Sequence, residues 1–462
     1  MRGIVVDQVR GILRLALTNA ARVRATRVAA ILLLLSARRG LRTPARVGSE
    51  YRVLVLSKAG HVEDMEAALH GTKGLQLFLL DRGAVKAMAR AFLPASVADN
   101  NYCCEDPEIS QRKSDYRDFV RETWQTVQAI RRFDAVTSGN FGYWAEREFG
   151  AALHETGTPF VVLHKECLKA AGWREYFRIL YRQRRGRFNG TKMLVYNEVE
   201  REDQTGSGVA PVEQIVVTGM PRLDRLHRWR IQESRGTAAR PHAPQVLFFA
   251  FPRNVGLPSR INLHGIALES EVSFSEPPSD WGEFHSDVHR AIVDLAYENS
   301  DVRVVVKIKG GAGAKASCEE AMGIKNRRPR NLIVVYGGDP MLLICQSDVV
   351  AGFGSTALLE AIASGRPVVI PRFLEAASPR MQPYIIDLGD SVDYADSAAS
   401  FKYRLVCLAR ERRDIERELR QNQKEVLTKW VGNSDGAAGV RVRQAILAEI
   451  DRSADVRTDS VA

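Results

Sequence analysis

Short runs of consecutive apolar residues recur along this chain, each followed by a stretch with helical spacing. Strand-like runs fall at Arg52–Leu56, Leu75–Leu80, Phe133–Thr137, Pro159–Leu163, Met193–Tyr196 and Gln214–Thr218. A second series follows at Gln245–Phe251, Val302–Ile308, Leu332–Val335, Val349–Ala351 and Pro367–Ile370. Strands that are apolar at every position, separated by helices, are the pattern of parallel sheets covered on both faces. Between the two series, Glu233–Pro244 is rich in Gly, Ala, Pro and Arg and has no period, which marks a linker. The expectation is an α/β chain of two doubly wound, Rossmann-like parallel-sheet domains facing a cleft. Its divisions are an arm over 1–48, a first domain over 49–232, the linker 233–244, a second domain over 245–430 and a closing helix and tail over 431–462. Among the helices, Asp115–Arg131 places Phe119, Val120, Trp124, Val127 and Ile130 near one face, and Ala398–Thr428 and Gly436–Ile450 close the chain. Pro252–Gly282 is expected to be a long loop.

The segment Asp348–Pro371, DVVAGFGSTALLEAIASGRPVVIP, is the most informative. It parses as strand, glycine turn, helix, second glycine turn and strand. Gly352 and Gly354 permit a tight turn, and Ser355 and Thr356 stand where the helix begins. Unpaired N–H groups and the positive end of the helix dipole make such a start attractive to phosphate. Glu360, further along, is suited to accept hydrogen bonds from a ribose. An ordinary strand–turn–helix capped by Ser355 has the same pattern.

This segment resembles the donor-binding half of GT-B glycosyltransferases. QIVVTGMPRLDRL (Gln214–Leu226) is similar to the strand and turn that close the first domain in two groups. These are the CDP-glycerol glycerophosphotransferase and surface-polysaccharide transferases, and the UDP-GlcNAc 2-epimerases. NLIVVYGGDPMLLICQSDVV (Asn331–Val350) and WVGNSDGAAGVRVRQAI (Trp430–Ile446) extend the likeness, the latter resembling the closing helix of the glycerophosphotransferase group. The resemblance implies a transferase of bacterial surface-polysaccharide assembly. Its substrates would be a nucleotide-activated sugar or CDP-glycerol-like donor and a glycan or lipid-linked acceptor. It implies no cofactor beyond the donor. A nucleotide-sugar epimerase, or a non-catalytic protein that binds glycan or nucleotide, is the alternative. Retaining GT-B enzymes carry two glutamates eight positions apart here. Glu360 matches the second, but Gly352 occupies the first position, so the inverting branch is implied.

In such a fold, residues just after each strand face the ligand. Lys307 and Lys309 alternate onto one face at a strand end, where either could neutralise a diphosphate, although a solvated strand end reads the same way. Arg253 holds the comparable place after the strand that ends at Phe251. Arg222 lies beyond the Gly219–Pro221 turn and either binds phosphate or pairs with Asp224 at the hinge. In the first domain, Ser138 and Asn140 form a polar turn suited to sugar hydroxyls. His164 and Glu166 are both candidates for the base that an inverting transfer requires. Structural roles compete with each of these. No DxD motif is present, and no metal is expected.

Charge adds one feature. Residues 1–48 hold ten arginines, no lysine and one acid, so +9 of the net +11 lies in the arm. Its apolar run, Val28–Leu35, is far shorter than the roughly 20 residues a spanning helix needs. The basic region before that run is also too long for a signal peptide. Arginines among Ile12, Leu15, Leu17, Val23, Ile31 and Leu34 suit a helix lying on an anionic membrane surface, and a disordered leader has a similar composition. The arm lacks aromatic residues, which argues against nucleic acid. Six scattered cysteines match neither zinc spacing nor a disulfide framework, as expected in a reducing cytosol. The expected location is the cytoplasm, with peripheral contact to the inner membrane face.

Overall fold

The computed structural model describes residues 2–40, 51–99, 101–103, 106–235, 243–257, 280–310, 313–324 and 328–459. Most of the linker, much of the Pro252–Gly282 loop and Cys104 lie outside these residues. The first half runs α1 (Arg2–Arg22), α2 (Thr26–Ser36), β1 (Ala37–Arg39), β2 (Tyr51–Ser57), α3 (His61–Leu69), β3 (Leu75–Asp81), α4 (Arg82–Phe92), α5 (Pro107–Ile130) and β4 (Ala135–Ser138). It continues through α6 (Trp144–Glu155), β5 (Phe160–His164), α7 (Ala171–Leu180), β6 (Lys192–Val195), α8 (Glu198–Gly206), β7 (Ile215–Val217) and α9 (Leu223–Glu233). Its seven strands lie in the order β1-β3-β2-β4-β5-β6-β7. All are parallel except β1, which pairs antiparallel with β3 at the edge.

The second half contains β8 (Gln245–Phe249), α10 (Gly282–Glu298), β9 (Arg303–Ile308), α11 (Ala314–Ala321), β10 (Leu332–Tyr336), α12 (Pro340–Gln346), β11 (Val349–Gly352), α13 (Thr356–Ser364), β12 (Val368–Pro371), β13 (Asp393–Ala395), α14 (Ala398–Glu411) and α15 (Gln421–Val431). Its six parallel strands follow the order β10-β9-β8-β11-β12-β13. The order reverses between β8 and β11, so the loops after these two strands diverge and leave a crevice. These are two Rossmann-like sheets facing a cleft, the GT-B arrangement.

The central strands are buried at nearly every position because helices cover both faces. Val53–Leu56, Val246–Phe248 and Val349–Ala351 are almost wholly inaccessible. The expected helix Ala398–Thr428 is two helices, α14 and α15. Arg412, at φ +48°, ends the first of them.

Two departures concern the ends of the chain. The arm is not a separate appendage. Leu17, Ala21, Ala29, Ala30 and Leu33 are buried, and the helix pair packs on the flank formed by α4 and α5. Burying a leucine side chain stabilises by roughly 1.5–3 kcal/mol, which is sufficient reason for the hairpin to dock. Arg14 reaches Asp81 at 2.6 Å, and Arg24 reaches Asp115 at 3.1 Å. The closing segment also returns to the first half. The final helix α16 (Ala438–Asp459) packs on α3, and Lys192 lies 3.3 Å from Glu449. The crossing is tight: a Cβ on Gly432 would stand 1.8 Å from the Tyr196 carbonyl oxygen. Asn433 donates to the Met220 carbonyl at 2.8 Å and to Asp224 at 2.7 Å, while Asp224 also accepts the Gly439 N–H at 2.8 Å. The Asn433–Gly439 stretch therefore fastens the second half to the first.

Candidate functional site

A cavity of about 380 Å³ opens between the halves. Its wall from the first half is Glu166 together with α7 and the residues just before it. The second half contributes the turns after β8 and β11, the start of α13 and residues 384–388. Gly354 adopts φ +60° beside Val255, so a Cβ there would be both strained and 3.0 Å from the valine. Ser355 caps α13 by accepting the Ala357 N–H at 3.2 Å, and Gly354, Ser355 and Thr356 all line the cavity. The structure thus brings the Gly-Ser-Thr helix start opposite Glu166.

Other residues singled out in the sequence lie elsewhere. His164 is fully buried, with Nε2 3.3 Å from Glu200 Oε1, in a closed network with Lys169 and Tyr181. Burial raises the Glu200 carboxyl, but Lys169 and His164 outweigh it and hold that carboxyl well below the usual range. His164 therefore orders the interior and is not placed to take a proton from a substrate. Ser138 and Asn140 are also buried. Ser138 donates to Glu146, and Asn140 Oδ1 accepts the Gly142 N–H at 2.7 Å. Their turn lies under α3, where a Cβ on Gly139 would stand 2.9 Å from His61 Cβ. It is not a rim for sugar hydroxyls.

In the second half, Lys307 is buried within β9 and donates to the Ile308 carbonyl at 3.0 Å, and burial lowers its pKa. Lys309 is exposed and lines a different cavity with Phe251, Pro252, Gly310 and Ser317. Arg253 is exposed, lies 3.7 Å from Asp280 and does not line the interdomain cavity.

Arg222 does not pair with Asp224. Its guanidinium meets Asp64 at 3.0 Å and Glu360 at 3.2 Å, and Tyr196 donates to Asp64 at 2.6 Å. Burial raises the pKa of both carboxyls, against the opposing pull of Arg222. Glu360 is thus held at the domain junction, with its side chain 11% exposed.

The strand-end rule also applies to residues that the sequence reading passed over. Lys58 follows β2 and donates to the Tyr143 hydroxyl, and Lys165 follows β5 and donates to the Ala59 carbonyl at 2.9 Å. Burial and then Lys58 lower the Lys165 pKa to about 8, and Glu166 acts in the opposite direction. Glu166 likewise supports the charge on Lys58, whose pKa burial lowers. A cationic pair therefore accompanies the carboxylate beside the cleft. The Ser57-Lys58-Ala59-Gly60 turn after the first central strand was the available signal.

No family model matches the chain, and a search of curated proteins gives no match. Among solved structures it is similar to the UDP-GlcNAc 2-epimerase from Neisseria meningitidis bound to UDP-GlcNAc, at 11% identity, with 86% of this chain and 100% of that one covered and a TM-score of 0.48. The Methanocaldococcus jannaschii UDP-GlcNAc 2-epimerase matches at 10% identity, over 86% and 99% of the two chains, with a TM-score of 0.47. The UDP-forming α,α-trehalose-phosphate synthase from Burkholderia xenovorans matches at 11%, over 88% and 99%, with a TM-score of 0.46.

Proposed function

We propose that this protein is an inverting glycosyltransferase or glycerophosphotransferase-like enzyme that transfers a group from a nucleotide-activated donor to a hydroxyl acceptor in surface-polysaccharide assembly. The observation that supports it is the single cavity walled by the Gly354–Thr356 helix start on one side and Glu166 on the other. The donor diphosphate lies at the N-terminus of α13, where backbone N–H groups and the helix dipole meet its charge. Glu360 accepts from the ribose while Arg222 fixes its orientation. Glu166 takes the acceptor proton. With a sugar donor, the acceptor oxygen bonds to the anomeric carbon as the nucleoside diphosphate departs with the bonding electrons. With a CDP-glycerol-like donor, it bonds to the distal phosphorus as the nucleoside monophosphate departs with them.

The N-terminal hairpin supports a place on a cytoplasmic membrane face. Ile12, Leu15, Val28, Ile31 and Leu35 stay exposed on it, and exposed Arg22, Arg27, Arg38 and Arg39 accompany them. Apolar side chains among arginines match an anionic lipid surface. No described helix is long and apolar enough to cross a membrane.

Incubation of the pure chain with nucleotide sugars and CDP-glycerol tests the reading. Release of nucleoside diphosphate or monophosphate with a transferred product supports it. Epimerised sugar indicates the epimerase alternative, and binding without turnover indicates a non-catalytic protein.

A further inference from the structure

Among the described residues, the wall of the interdomain cavity contains no lysine or arginine. Trp173, Phe177, Leu358, Ile370, Ile386 and Tyr394 typify it, and the polar side chains on it are Glu166, Ser355, Thr356 and three tyrosines. A diphosphate against these wall residues would lose its hydration without meeting a counter-charge from them. The donor charge therefore stays at the helix start, and most of the cavity is left for an uncharged, apolar group. At about 380 Å³ the space is of ligand size. Trp173 is locked across the cleft by donating to the Gly256 carbonyl, and Trp281 donates to the Val255 carbonyl at 2.7 Å, so the apolar wall is preformed.

We propose that the acceptor is an apolar alcohol, a hydroxyl borne on an aliphatic chain, and that the chain is buried between the two halves. This rests on the transferase reading and names its second substrate. The hydroxyl proton passes to Glu166. With a sugar donor, the oxygen bonds to the anomeric carbon as the C–O bond to the nucleoside diphosphate breaks with its electron pair leaving on phosphate. With a CDP-glycerol-like donor, it bonds to the distal phosphorus as the nucleoside monophosphate leaves with the electron pair. Water is excluded by the chain itself, which protects the donor from hydrolysis.

The test is a homologous series of primary alcohols from 1-butanol to 1-decanol, titrated calorimetrically into the full chain, with UDP and CDP titrated separately. Affinity is expected to rise about fourfold for each methylene until the cavity is full, then level off. Ile386→Glu and Tyr176→Glu, both at half-buried wall positions, are expected to weaken 1-decanol at least tenfold. Nucleotide binding should stay within twofold, with circular dichroism confirming the fold. A flat series, or undiminished decanol binding in both variants, overturns the proposal even if nucleotides bind. Decanol binding by a chain that binds no nucleotide supports the apolar site and overturns the transferase reading and the acceptor role with it.

Discussion

Arg222 of the first half lies with Nε 3.2 Å from Glu360 Oε1 of the second, and its Nη1 lies 3.0 Å from Asp64. One guanidinium thus compensates two buried carboxylates across the domain junction. Removing one partner of a buried pair leaves an uncompensated charge and costs about 3–5 kcal/mol. Arg222→Ala is expected to destabilise by that amount, and Arg222→Lys by less, because an ammonium carries the charge without the planar fork. Urea unfolding of the three proteins measures both effects.

The same pair bears on donor recognition. If Arg222 holds Glu360 toward a ribose, the parent should prefer UDP over 2′-deoxy-UDP by about 1.5–3 kcal/mol, the worth of a charge-assisted hydrogen bond. Glu360→Gln should erase most of that preference and leave the affinity for 2′-deoxy-UDP nearly unchanged. An equal preference in both proteins would assign Glu360 to the domain junction alone.

At Gly354, conformation and space act together. A β-branched residue at φ +60° costs on the order of 1–2 kcal/mol of backbone strain, and the new side chain would enter the space held by Val255. Gly354→Val is expected to weaken nucleotide binding by more than tenfold, as read by titration of UDP, CDP and GDP. Gly313→Val serves as control, since that glycine also has positive φ but faces open space.

The sheets were legible because their strands are apolar at consecutive positions, and the Gly354–Thr356 turn because its residue types leave few conformations. Burial depth was not legible. His164 and Glu166 are two residues apart at one strand end, yet the first turns into the closed Glu200 network and the second toward the cleft. Ser138 and Asn140 looked like a polar rim because nothing local announces that α3 lies over them. The edge strand β1 has only three residues, two of them arginine, and carries no apolar signature. The Arg222–Asp64–Glu360 cluster joins positions more than a hundred residues apart. Sequence spacing instead suggested Asp224, a near neighbour.

The N-terminal hairpin allows a separation of stability from surface binding. Deleting residues 1–40 removes buried Leu17, Ala29 and Leu33 and the strand beside β3, so the first half should lose stability and expose apolar surface. The triple change Ile12→Glu, Leu15→Glu, Ile31→Glu touches only exposed positions and should leave the unfolding midpoint nearly unchanged. It is expected to abolish cosedimentation with anionic vesicles, and parent binding should fall steeply as salt rises. Parent protein that ignores such vesicles at low salt would remove membrane attachment from the proposed function.

Asp224 gives the pH dependence a definite sign. Burial raises its pKa from 3.8 to about 6, against the hydrogen bonds from Gly439 and Asn433. A carboxyl raised on folding contributes stability that is fully present below the unfolded value and is lost as pH rises through the folded one. Two units correspond to about 3 kcal/mol. Parent stability relative to Asp224→Asn should therefore decline by about that amount between pH 4 and 7, measured by denaturant titration across the window. A constant difference would mean that the carboxylate is fully compensated where the chain crosses back.

Glu166 carries the chemical part of the proposal, and its replacement isolates that part. The residue is exposed on the cavity wall, so Glu166→Gln changes charge and proton affinity while leaving shape and folding intact. General-base catalysis typically contributes 10²–10⁴-fold, so turnover should fall by about that factor with donor affinity within twofold. Glu166 also supports the charges on Lys58 and Lys165, so removing it should lower the pKa of both lysines. Selective acylation of Lys165 near pH 8 should consequently become faster in the variant. Unaltered turnover together with faster acylation would assign Glu166 to electrostatic support of the lysine pair and leave the acceptor proton to another group.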